Sequence, residues 1–264
     1  MCNSPAHNAN LGAAYNARMG NTIRVLPFAG ADGATNMSAD EALLESAATG
    51  GGAALRFYTW SEPTLSLGYF QPAADRLDDP KLAQLAWVRR ATGGAAIVHH
   101  HELTYALAVP PGKEWASAEH WICRAHHIVQ RVLARHGVAA HAVVCGEEQK
   151  LGPVVCFLHQ TPGDLLIGGS KVCGSAQRKQ KGALLQHGSI LLRRSPFAPH
   201  LPGVCDAPGA PDLTPEALAS ELTEAFASDT GWRCESGAWT EAELARTSAI
   251  RAEKYAHPAW NGKR

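Results

Sequence analysis

Short apolar runs dominate the chain, and they predict strands more often than helices. Runs over Ile23–Phe28, Ala54–Trp60, Thr64–Tyr69, Trp87–Arg90, Ile97–His99 and Leu103–Val109 are bounded by Gly, Pro, Ser or Asp and are strand-length. Val154–Phe157, Asp164–Ile167, Lys171–Gly174 and Gly188–Leu192 continue the pattern, with Gly168-Gly169 as a tight hairpin turn. Helical spacing is clearest from Ser117 to His136, where Trp121, Ala125, Ile128 and Val132 repeat, Ser117 is placed to cap and Gly137 to stop the helix. Ser38 predicts the cap of a helix over residues 39–48, ended by Gly50-Gly51-Gly52. A proline-rich crossing over Leu192–Pro215 leads to helices over Pro215–Ser228 and Thr240–Tyr255. No repeating strand–helix–strand period is visible. The expected class is therefore α+β: a single domain with a mixed, mostly antiparallel sheet flanked by helices, over residues 23–264, behind an N-terminal arm of residues 1–22 expected to be flexible.

Length and composition add bounds. A chain of 264 residues is long enough to bury a sizeable core. Its 24 basic and 24 acidic residues balance, so no nucleic-acid or membrane partner is expected from net charge. The first twenty residues lack the apolar stretch of a signal peptide, and no apolar run approaches membrane-spanning length. Seven cysteines, odd in number and without a CxxC pair, indicate reduced thiols and a cytoplasmic location.

Two segments concentrate the chemistry. Arg89–Tyr105 (RRATGGAAIVHHHELTY) combines two arginines, a small-residue loop and histidines. Gly168–Leu192 carries one lysine, Lys171, ahead of Gly174-Ser175-Ala176 and His187-Gly188. A fixed cation beside glycines that admit close backbone approach suits a carbonyl or phosphate group. Cys156, in the apolar run Val154–Leu158, reads either as a core residue or as a thiolate nucleophile. Cys173 competes for the second role, two residues from Lys171 and expected on the same strand face. His101-Glu102-Leu103-Thr104-Tyr105 has Tyr where a zinc HExxH motif needs its second His, and His120, Cys123 and His127 share a helix face without a fourth ligand; no metal is expected.

The two segments resemble the lipoate–protein ligase A and octanoyltransferase family of the biotin/lipoyl ligase superfamily. Arg89-Arg90-Ala91-Thr92-Gly93-Gly94 with His99 and Glu102–Tyr105 is similar to one family block, and Lys171–Arg178 with Leu185–Ser189 to another. Asn36–Leu43 and Tyr58–Gln71 agree more weakly, in family order. The resemblance is closest to the cysteine-dependent octanoyltransferases, because Val155-Cys156-Phe157 stands where they carry Ala-Cys-Phe. Ala95 departs from the third glycine common in the ligases, and a Cβ there narrows the approach to a phosphate.

The resemblance implies a two-step acyl transfer. Cys156 takes octanoyl from an acyl carrier protein as a thioester, and a lysine of a lipoyl domain (a glycine cleavage H protein or a 2-oxoacid dehydrogenase E2) then removes it. Lys171 would hold the acyl carbonyl. Arg90, Thr92, Gly93, Gly94, Ala95, His99, Gly174, Ser175, Gln177, His187 and Gly188 would line or brace the substrate site, Arg90 more as a brace than a catalytic group. No cofactor is needed on this reading. The rival readings are a lipoate–protein ligase requiring ATP and magnesium, an amidotransferase using another donor, and a non-catalytic acyl- or lipoyl-domain-binding protein.

Overall fold

The structure, a computed structural model, describes residues 21–150, 159–207 and 209–264. Most of the expected arm, the strand predicted over Val154–Phe157 and Cys156 itself lie outside the described residues.

The chain begins with β1 (Thr22–Val25), β2 (Ala29–Ala31) and α1 (Gly33–Ala48), followed by β3 (Ala53–Trp60), β4 (Thr64–Leu67), α2 (Pro80–Ala83) and β5 (Ala86–Arg89). It continues through β6 (Ile97–His99), β7 (Glu102–Val109), α3 (Trp121–Arg135), β8 (His141–Ala142), β9 (Gln149–Lys150), β10 (His159–Gln160) and β11 (Leu165–Ile167). The long hairpin β12 (Ser170–Gln180) and β13 (Ala183–Leu191) follows, then α4 (Pro215–Thr230), β14 (Arg233–Ser236), α5 (Glu241–Ile250) and α6 (Pro258–Asn261).

The expected α+β class holds. A nine-stranded sheet runs in the order β14-β1-β3-β7-β13-β12-β11-β8, with β2 paired to β3. Its pairs are parallel at the β14-β1-β3 end and antiparallel from β3 onward. A smaller sheet, β5-β4-β6, lies apart from it. Both faces of the large sheet are covered, so central strands are buried along their length, and β7 is buried at every residue. Leu55, Phe57, Tyr105 and Leu107 pack toward α3 and α4; Ala54, Tyr58, Ala106 and Ala108 pack toward α1 and the end of α5. Leu65, Leu67 and Val98 give the small sheet its own core.

Several local expectations are corrected. Helix α1 starts at Gly33, five residues before Ser38, because the Asp32 side chain accepts from the Thr35 amide at 2.7 Å. Ser38 is inside the helix, its hydroxyl donating to the Ala34 carbonyl at 2.6 Å. Ser117 does not cap α3, which begins at Trp121; the Ser117 hydroxyl accepts from Arg124 at 3.3 Å instead. The α3 residues predicted to face inward, Trp121, Ala125, Ile128 and Val132, are buried. Lys171–Gly174 and Gly188–Leu192 are parts of one long hairpin, turned at Lys181-Gly182 with both residues at positive φ (48° and 85°). Strand β14 and helix α6 were not predicted, and α5 runs into a π-helical turn over Arg251–Tyr255.

The hairpin depends on Gly188. A Cβ there would fall 2.1 Å from Ser175 Oγ and 2.7 Å from a Tyr105 ring carbon, both on the α3 side. Gly188→Ala is therefore expected to lower stability by roughly 1–3 kcal/mol through overpacking. Urea denaturation measures this, and an unchanged midpoint would mean that Ser175 and Tyr105 move aside freely.

Candidate active site

The cleft opens between the two sheets, where β12 and β13 face the small sheet across the Gly93-Gly94 loop. It is lined by residues that include Trp60, Ser66, Arg90, Gly94, His99, Gly174 and His187.

Opposite pairing fixes which side chains meet there. Gly174 pairs with Ser189, Ser189 with Thr104, and Thr104 with Tyr58, so these four share the cleft face of the large sheet. Ser175, Gly188 and Tyr105 pair in the same way and share the α3 face. Only the main chain separates the two.

Lys171 sits beside the cleft at Gly174. A Cβ on Gly174 would lie 2.5 Å from Lys171 Cε and 2.9 Å from Nζ, so glycine leaves the space the lysine occupies. The lysine is buried, 3% exposed, and pairs with the equally buried Asp164 at 2.7 Å. Its Nζ also donates to the His159 carbonyl at 3.1 Å. Asp164 is held in turn by the Thr161 amide (2.7 Å) and hydroxyl (2.9 Å). A buried charge is tolerated only when paired and hydrogen-bonded, and each partner here meets that condition.

The expectation that Cys173 shares a face with Lys171 fails. The register of β11 against β12 shifts between Leu165 and Leu166, which pair with Cys173 and Lys171 respectively. The extra β12 residue is a bulge that breaks the alternation, leaving Val172 and Cys173 together in the α3-side core. Burial, with Asp164 nearby, pushes the Cys173 thiol well above its ordinary range, which suits a core residue and not a nucleophile.

Two carboxylate–imidazole–hydroxyl chains brace the cleft walls. Glu102 Oε1 accepts from His99 Nδ1 at 2.7 Å, and His99 Nε2 meets the Ser66 hydroxyl at 2.8 Å on β4. The His99 ring stacks on Trp60, with centroids 3.8 Å apart. Asp40 on α1 accepts from His187 Nδ1 at 2.9 Å, and His187 Nε2 meets the Thr92 hydroxyl at 2.7 Å. Arg90 donates to the carbonyls of Ser66, Gly93 and Ala95, which holds the loop closed over β4. Gly68 must be glycine for that loop to fit, since a Cβ would fall 1.8 Å from the Gly94 carbonyl oxygen.

Of the residues singled out from sequence, Arg90, Gly93, Gly94, His99, Gly174, Ser175, His187 and Gly188 line the cleft. Thr92 stands behind His187, and Ala95 contributes a carbonyl to Arg90. Gln177 instead donates to the Gln186 side chain at 2.7 Å, outside the lining. His127 pairs with Glu119. Among the described residues, no group of three or more His, Cys, Asp or Glu could hold a metal ion, and no helix is long and apolar enough to cross a membrane.

Sequence reasoning missed Asp164, Asp40 and His126. His126 is fully buried on α3, with Nδ1 2.5 Å from the Gly163 carbonyl and Nε2 2.6 Å from Ser175 Oγ. Burial drives its pKa down to about 4. The only hint was its position, three and four residues from Val129 and Ile122 on a broad apolar face.

The model of lipoyl protein ligase A/B catalytic domains matches residues 32–197. An octanoyltransferase LipM of Kyrpidia tusciae is 34% identical over 272 residues, covering 91% of this chain and 98% of that protein. Another, from Brevibacillus brevis, is 40% identical over 172 residues, covering 60% of this chain and 62% of that one. A crystal structure of lipoate-protein ligase A bound with ATP is similar in fold, with a TM-score of 0.75 at 22% identity over 91% of this chain and 98% of that one.

The buried imidazole has a consequence in acid. Between pH 6.5 and about 4 the unfolded chain protonates this histidine while the folded chain does not, so stability is present above pH 6.5 and falls as pH drops through that window. At about 1.4 kcal/mol per pH unit, wild type is expected to lose roughly 2 kcal/mol more than His126→Leu between pH 7 and pH 4.5. Urea titrations of both proteins at the two pH values check it; parallel losses would show that His126 takes up its proton without unfolding.

Proposed function

Because the chain belongs to the lipoyl protein ligase A/B catalytic-domain family, we propose that it is an octanoyltransferase of lipoate biosynthesis working through a cysteine thioester. Cys156 Sγ attacks the carbonyl of octanoyl-acyl carrier protein, and the carrier thiol leaves with a proton. The ε-amine of a lipoyl-domain lysine then attacks the octanoyl-enzyme, forming the amide and releasing the Cys156 thiol. The donor thioester already carries the activation, so ATP is not required. The acceptor is a lipoyl domain of an H protein or an E2 subunit.

The observation that carries this reading is the buried Lys171, held by Asp164 and the His159 carbonyl against the glycine notch at Gly174. A cation fixed beside the cleft stabilises negative charge as it develops on an acyl oxygen. In sequence Cys156 precedes His159 by three residues, a tether of at most about 11 Å. The neighbouring cleft wall is apolar at Trp60, Ile97 and Met37, which suits an alkyl chain. Each buried methylene contributes about 0.8 kcal/mol, so eight carbons give coarse chain-length selection.

Intact-protein mass spectrometry after incubation with octanoyl-acyl carrier protein, without ATP, tests the proposal. Wild type is expected to gain one hydroxylamine-labile octanoyl group, and Cys156→Ala none. Lys171→Ala is expected to slow adduct formation at least about 100-fold, the scale of losing one oxyanion-stabilising donor. Acceptor modification that appears only with ATP and free acid, and is indifferent to Cys156→Ala, would establish the ligase reading instead.

A further inference from the structure

Behind the cleft floor lies a buried polar chain that runs from the Gly163 carbonyl to Gln186. The Gly163 carbonyl can only accept, so His126 Nδ1 carries the proton and donates to it across 2.5 Å. Burial keeps the imidazole neutral, so His126 Nε2 accepts from the Ser175 hydroxyl at 2.6 Å. Ser175 Oγ must in turn accept from the Tyr105 hydroxyl at 2.6 Å, and Tyr105 accepts from Gln186 Nε2 at 2.8 Å.

The two ends of the imidazole touch the two elements that fix Lys171. Gly163 is the residue before Asp164, the carboxylate paired with Lys171. The turn is pressed onto α3: Gly163 has φ +95°, and a Cβ there would lie 3.3 Å from Ile122 and 3.4 Å from Cys123 Sγ. Ser175 follows Gly174, the notch that Lys171 occupies. The ring thus spans from the turn bearing the lysine's counter-ion to the strand against which the lysine lies.

We infer that His126 is a positioning residue for acyl transfer, clamping the Gly163–Asp164 turn to Ser175 so that the Lys171 ammonium stays fixed beside Gly174. It touches no reacting atom itself. The inference rests on the proposed role of Lys171 for its effect on rate, but the effect on lysine placement is separately measurable.

The test compares wild type, His126→Leu and His126→Asn in the full chain. Leucine removes both hydrogen bonds, whereas asparagine keeps a donor toward the Gly163 carbonyl. Lys171 acetylation by limiting acetic anhydride, followed by peptide mass spectrometry on folded protein, reads its placement. His126→Leu is expected to raise Lys171 labelling at least about 10-fold. The rate of octanoyl-enzyme formation at saturating donor should fall about 10- to 100-fold, the scale of a displacement near 1 Å. Donor KM should change less than about twofold, and His126→Asn should recover most of both losses. Unchanged labelling in a folded His126→Leu protein overturns the inference. Increased labelling with an unchanged transfer rate supports the clamp and instead removes Lys171 from the reaction. Should His126→Leu fail to fold, Ser175→Ala removes the same clamp from its other end; its labelling is expected to rise, and unchanged labelling there overturns the inference equally.

Discussion

Two carboxylates buried between layers, Asp40 and Glu102, each 1% exposed, set the constraint on which the cleft depends. An isolated carboxylate in such a place is costly, so each must collect donors, and the donors come from different elements. Glu102 Oε1 accepts from His99 on β6 (2.7 Å), Thr104 on β7 (2.5 Å) and Ser189 on β13 (2.9 Å). Asp40 on α1 accepts from Arg56 (3.0 Å) and Tyr58 (2.9 Å) on β3 and His187 (2.9 Å) on β13. The donors gathered on Glu102 Oε1 and on Asp40 tie the small sheet and α1 to the large one. The cleft is the gap left between parts held at fixed distances.

Because both imidazoles are already engaged at both nitrogens, His99 and His187 work as struts. Their hydroxyl partners, Ser66 and Thr92, lie where β4 and the loop after β5 must be anchored. Arg90 completes the arrangement by binding the carbonyls of Ser66, Gly93 and Ala95. Rigid walls of this kind place a bound acyl group with little conformational loss, which is what a transfer reaction requires of its scaffold.

The sequence made the α+β class, the inward face of α3, the Gly168-Gly169 turn and half of the cleft-lining residues legible, because periodicity and small-residue loops are local signals. What escaped it was relational. The β12–β13 hairpin was cut short because Lys181-Gly182 is a weak turn signal beside Asn-Gly, and because Gln177–Gln180 is polar and only partly buried. The cap of α1 was misplaced because Asp32 and Ser38 are both good caps, and only tertiary packing selects between them. Cys173 was put beside Lys171 by strict alternation, which the bulge opposite Leu165 and Leu166 breaks. Asp164 and His126 carry no motif, and their relevance follows from a register and a helix packing that no short window contains.

The floor of the cleft is one strand thick, and its two glycines face opposite ways for that reason. Gly174 lacks a side chain on the cleft face, and Lys171 takes the space; Gly188 lacks one on the α3 face, and Ser175 takes it. Their neighbours on the paired strands, Ser189 and Ser175, are small and polar, each hydrogen-bonded to a buried network on its own side. An ordinary β-sheet buried on both faces would put Val, Ile or Leu at these positions, thickening the wall and holding polar groups on its two sides apart. Glycine and serine instead bring the buried imidazole of α3 within one residue of the lysine's resting place. The same substitution pattern weakens the strands as strands, and the length of the hairpin, eight consecutive residue pairs from Cys173 to Gln180, offsets that weakness.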